Sequence, residues 1–215
     1  MTENQIEVYE KIKAYTTMGF HSQKGLFEVI LRMVEDNDLT DKTTKKWIKE
    51  TIKSEYEIQL TNSLNWEHPT DPEKLKKVFD QLCRERIIAL HNQGYENSDI
   101  GPEISSLLAD FEEFNIEPKP IGYCFYHHQN LESAIDPNSK NLHIGFSSLT
   151  DNEEVCQNIG HRIKELLIKQ NFNIEWTGFT TDKVIINKIM WQKKFNNDTE
   201  EWDSARVLDL IAERK

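Results

Sequence analysis

Trp66-Glu-His-Pro-Thr-Asp-Pro72 is the stretch that divides this chain. Two prolines and a Thr/Asp capping pair stop one helix and start another, so the residues on either side are read separately. Upstream, Ile6, Val8 and Ile12, then Phe27, Ile30, Leu31 and Val34, then Trp47, Ile48 and Ile52 recur at spacings near three and four. One apolar stripe per helix, with Gly19 and Gly25 as punctuation, predicts an all-helical N-terminal region over residues 1–66. Downstream, the period changes. Leu75, Val78, Phe79 and Leu82 share a helical face, Ile87-Ile-Ala-Leu90 favours a strand, and Ile104, Leu107, Leu108 and Phe111 point inward from a second helix.

From Pro118 the pattern is mostly short strands. Ile121 to His128 alternates, with Ile121, Tyr123, Phe125 and His127 on one face and Gly122, Cys124, Tyr126 and His128 on the other. Leu142, Ile144 and Phe146 repeat that period. Val155, Ile159, Ile163 and Leu166 then form a helical stripe, followed by strands at Ile174–Trp176 and Val184–Ile186. The fold expected is α+β: helical N-terminal region, then over 67–195 a mixed, mainly antiparallel sheet of four to five strands with helices packed on one face. Residues 196–215, with Trp202, Ala205, Leu208 and Ile211 at helical spacing, are expected to dock as a C-terminal helix.

Composition narrows the function classes. The 215 residues are 37% hydrophobic and 29% charged, with a formal net charge of −11. A chain of that make-up folds, and its charge argues against coating nucleic acid or anionic lipid. No segment approaches the roughly 20 apolar residues of a membrane span. The start, Met1 to Tyr15, carries Glu3, Glu7 and Glu10 and lacks the basic, greasy pattern of a secretory signal. Cys83, Cys124 and Cys156 are odd in number and far apart, which suits reduced thiols. The expectation is a cytoplasmic protein with no membrane partner, no cofactor and no metal.

Trp66-x-x-x-Thr70-Asp71, Ala89-Leu-His-Asn-Gln-Gly-Tyr-Glu-Asn-Ser-Asp99 and Gly122-Tyr-Cys-Phe-Tyr-His-His-Gln129 together resemble a bacterial family of conserved hypothetical proteins, a domain of unknown function, over about residues 66–195. The resemblance implies a fold and no activity. Relatives look as if they carry a cysteine-rich turn where this chain has Asn92 to Asp99; without cysteine here, a metal role implied by that turn does not carry over.

Candidate chemistry gathers around histidine. His127 and His128, adjacent on an expected strand, point to opposite faces and do not share one metal; His128 meets His143 only in a favourable strand register. Cys124 and His128 share a face, but four residues at about 3.3 Å rise place their Cα atoms about 13 Å apart, too far for a thiol dyad without His143 or His91. Gly94 to Gly101 runs into a helix without a P-loop lysine, so Ser98 or Asp99 is expected to cap that helix. Lys169, Lys183, Lys188, Lys193 and Lys194 interleave with Phe172, Trp176, Phe179, Trp191 and Phe195, the composition of a single-strand platform, though strand aromatics belong more often to a core.

Acidity is the best functional clue. Between Ile87 and Pro118 stand Glu96, Asp99, Glu103, Asp110, Glu112, Glu113 and Glu117, with no Lys or Arg. Such a run is either a solvated helix face or a surface that steers a basic partner. The leading expectation is an acidic interaction protein, not an enzyme, that binds a basic protein; its concrete form is an immunity protein neutralising a toxin effector. The alternative is an enzyme, a hydrolase or metal-assisted, using Tyr126, His127, His128 and His143. Nucleic acid is disfavoured.

Overall fold

A computed structural model describes residues 1–150, 152–196 and 202–213. The chain divides into two compact units, residues 1–70 with a returning segment from Trp191, and residues 71–190 with the C-terminal helix.

The helical unit has three helices, α1 (Glu3–Met18), α2 (Gln23–Asp36) and α3 (Lys45–Ser63). Each starts on a hydroxyl that accepts a first-turn amide: Thr2 from Gln5, Ser22 from Gly25, Thr44 from Trp47. The apolar stripes converge as Val8, Ile12, Leu26, Ile30, Val34, Ile48 and Ile52, each at most 2% exposed. The returning segment seals the end of α1. Trp191 Nε1 donates to the Met18 carbonyl at 3.1 Å, and Lys193 Nζ donates to the Gly19 carbonyl at 2.6 Å while lying 4.5 Å above the Phe20 ring. Gly19 takes φ +73°, and a Cβ there would stand 2.3 Å from the Lys193 carbonyl oxygen, so both conformation and space require glycine.

The second unit contains α4 (Asp71–Arg84), β1 (Ile87–Leu90), a 3₁₀ turn (Asn97–Asp99), α5 (Ile100–Glu113), β2 (Gly122–Phe125), α6 (His128–Ile135), β3 (Leu142–Ser148), α7 (Glu153–Lys169), β4 (Asn173–Glu175), β5 (Val184–Asn187) and α8 (Ala205–Ala212). The sheet order is β1-β2-β3-β5-β4. Only β1 and β2 pair in parallel, linked through α5 as a crossover must be; the remaining described pairs are antiparallel. The architecture is α+β, as expected from the change of period. α7 lies close on the sheet because Gly160 admits the rings of Phe146 and Trp176; a Cβ there would be 2.7 Å from both. Arg162 on α7 then clamps Glu85 just beyond α4, with Nε 2.6 Å from Oε2.

Two readings of the sequence are corrected. The strand expected to run to His128 ends at Phe125; His127 is the N-cap of α6 and His128 its first residue. His127 accepts the Asn130 amide through Nδ1, and the Asn130 side chain accepts the His127 amide, a reciprocal cap that ends the extended backbone. In α8, the inward residues are Arg206, Val207 and Ile211, whereas Ala205 is exposed.

Candidate functional site

The register of the sheet sets the site. β3 runs between β2 and β5, holding Gly145 opposite Phe125 and Ile144 opposite Val184. The end of β2 and the start of β5 therefore reach the same level of the sheet. Gly145 lets the Phe125 ring cross β3, since a Cβ there would be 2.9 Å from that ring. Two residues past β2 stands His127, and immediately before β5 stands Lys183.

Lys183 Nζ lies 3.4 Å from His127 Nε2 and donates to Asn97 Oδ1 at 2.8 Å. Around this pair opens a polar cleft of about 370 Å³, lined also by Glu96, Ser98, Gln129 and Asn130. The first amides of α6 are already satisfied: His128 N donates to Gly94 O at 3.0 Å, Gln129 N to Tyr95 O at 3.2 Å, and Asn130 N to His127. The cleft thus presents side chains, not a bare helix terminus.

Burial, assisted by the Lys183 charge, pushes the His127 imidazole down to about 4, against the opposing pull of the Tyr95 carbonyl, Asp99 and Glu96. Burial also lowers the Lys183 ammonium, and burial followed by the Lys183 charge lowers His143. At neutral pH His127 is an uncharged ring beside the Lys183 ammonium, whose proton is held less tightly than that of an exposed lysine.

A sequence family described as a domain of unknown function, DUF6891, matches residues 1–195. The chain belongs to this family. No curated protein and no solved structure matches it. The family match takes in the helical unit as well as the sheet, and stops before α8.

Within the DUF6891 domain the other sequence candidates separate. Tyr126 is fully buried, its hydroxyl 3.1 Å from His91 Nδ1. Cys124 is fully buried too, and burial holds its thiol well above the usual range. His128 stacks against Tyr95 at 5.6 Å between ring centroids and faces Glu132, with Nε2 to Oε1 at 3.6 Å. Of the four residues proposed for an enzyme, only His127 lines the cleft; His143 stands outside its lining and feels only the charge of Lys183. Among the described residues no three His, Cys, Asp or Glu side chains gather as a metal site requires.

Asp99 is not the side-chain cap of α5; its Oδ2 turns back to accept the amides of Tyr95 at 2.8 Å and Glu96 at 3.0 Å. Those amides, Glu96 first, hold its carboxyl below the ordinary value. Glu96 lines the cleft. Glu103 and Asp110 are half-buried on α5, and Glu112, Glu113 and Glu117 are exposed. Lys119 reaches back to Glu112 at 3.2 Å and Glu117 at 4.0 Å. Phe114, 61% exposed, stands among these acids. The aromatics of the basic segment are mostly spent on packing: Phe172, Trp176 and Trp191 are buried, while Phe179 is exposed.

Sequence reasoning missed Lys183 as the partner of His127, fifty-six positions away. In the sequence it stands only as one of a basic series. Asn97 and Asn130 carried no signal of their own.

Proposed function

We propose that this DUF6891 protein binds a basic protein partner through the acidic end of α5. The observation that carries the reading is the exposed Phe114 ring flanked by the exposed carboxylates of Glu112, Glu113 and Glu117. An aromatic anchor supplies apolar area, and a carboxylate rim steers cations and disfavours acidic competitors. In its concrete form the protein is a cytoplasmic immunity protein that neutralises a toxin effector, a reading supported by a net charge of −11 and by free cysteines at 83, 124 and 156. The test is recovery of partners from the host lysate at low and high salt, using the wild type and the E112K/E113K/E117K variant. One basic protein retained stoichiometrically by the wild type and lost by the variant supports the proposal. Equal retention by both removes the surface from consideration.

The second reading, an enzyme, is favoured by one observation, the 3.4 Å approach of Lys183 to His127 in an open polar cleft. It needs His127 as proton carrier and excludes the buried Tyr126. A hydrolytic activity found in the wild type and retained in His127→Gln would sink it.

A further inference from the structure

Arg206, on the first turn of α8, is drawn into the interior with its side chain 7% exposed. Its Nε donates to Asp80 Oδ1 at 3.1 Å, Nη2 donates to the Ala89 carbonyl at 2.9 Å, and Nη1 donates to the Asp203 carbonyl at 3.2 Å. Four residues earlier, Trp202 sets its ring 4.7 Å from that of His91, and His91 stacks on Phe79 at 4.5 Å. A carboxylate, a strand-end carbonyl and an imidazole on a phenyl ring thus form a receptor for a guanidinium and an indole.

The receptor and its occupant fall on opposite sides of the family match. Phe79, Asp80, Ala89 and His91 all lie in the stretch matched to the family, whereas Trp202 and Arg206 lie beyond it. α8 has eight residues, too few to hold a helix in water without docking. Beyond Arg206 its buried residues are Val207 and Ile211. The guanidinium and the indole are therefore major parts of the attachment.

We infer that the pocket of Asp80, Ala89, His91 and Phe79 is a binding site for an arginine-bearing, aromatic peptide segment, filled in this chain by its own tail. A basic partner protein carrying such a segment is the occupant that replaces α8; this part rests on the partner-binding reading above. Exchange of one arginine for another keeps Asp80 paired, whereas withdrawal of Arg206 alone leaves a buried carboxylate without its guanidinium. A lysine, lacking the planar fork, does not reach Asp80 and the Ala89 carbonyl together in the same geometry. Lys76, 2.7 Å from the second Asp80 oxygen, stays with the receptor and orients the carboxylate.

The test uses the full-length chain with W202A/R206A, which vacates the pocket, titrated with a labelled synthetic peptide of residues 202–213. Saturable one-to-one binding is expected, weakened at least tenfold when the peptide carries Arg206→Lys. Asp80→Asn in the protein is expected to erase that preference. E112K/E113K/E117K is expected to leave peptide binding unchanged, so failure of the acidic surface and failure of this site are read separately. A cooperatively melting W202A/R206A chain that binds no peptide overturns the inference. If that variant does not fold, hydrogen exchange of the wild type decides: α8 amides exchanging at least tenfold faster than those of β1 support a detachable tail, and exchange only in step with β1 overturns it.

Discussion

Arg206 and Lys183 are two cations of the same unit placed under opposite rules. Arg206 enters the interior with a carboxylate at 3.1 Å and two carbonyls that accept from Nη1 and Nη2. Lys183 stands half-buried against an imidazole, with one amide oxygen for a partner. The first arrangement stabilises the charge and fixes a helix. The second disfavours the charged form of both members. Burial alone does not decide what a cation does; whether its nearest partner carries the opposite charge does.

The largest expected effect comes from breaking the first arrangement. Asp80→Ala strands a buried guanidinium and is expected to cost about 3–5 kcal/mol, seen as a lower urea midpoint, whereas Asp80→Leu with Arg206→Met costs less than either single change. Next is Gly145→Ala, which drives a methyl into the Phe125 ring beneath the cleft and is expected to cost about 1–3 kcal/mol in the same assay. His127→Ala removes the cap of α6 for about 1 kcal/mol, and His127→Ser recovers most of it.

The second arrangement is sharpened by titration. Lys183→Met is expected to raise the His127 midpoint from about 4 toward 6.5, followed by NMR of the ring protons. The sign for stability follows from the lowered value. Between pH 6.5 and 4 the unfolded chain takes the proton before the native ring does, so stability is lost as pH falls through that window. The loss between pH 7 and pH 4.5 is expected to be smaller in Lys183→Met than in the wild type, by urea midpoints at the two values. Smallest of all, the E112K/E113K/E117K changes are expected to alter stability by no more than about 0.5 kcal/mol each, because those side chains are exposed.

Much of the fold was legible because long amphipathic stripes need no partner to be recognised. α5 and α7 follow Ile104 to Phe111 and Val155 to Leu166, and β1 spans the expected Ile87–Leu90. The end of β2 was hidden because the alternation from Ile121 continues by coincidence through His128, and because a histidine cap lacks the Ser, Thr, Asp or Asn that announces a helix. His127 could be named as a candidate from its type. Its partner could not, since Lys183 arrives through the pairing of β3 with β5, a contact that local pattern does not encode. Arg206 was hidden for a related reason: an arginine beside an apolar stripe reads as solvent-facing until Asp80 is placed opposite.

The segment returning from Trp191 gives the helical unit an order of completion. Its three helices are synthesised before the second unit, yet the carbonyls of Met18 and Gly19 at the end of α1 wait for Trp191 and Lys193, which follow that unit's sheet in the chain. During translation the intervening residues must all emerge before that helix end is closed. A ribosome stalled between the emergence of α3 and that of Trp191 therefore displays a three-helix unit with an open end, and the unit begun earlier is closed only after most of the other has emerged.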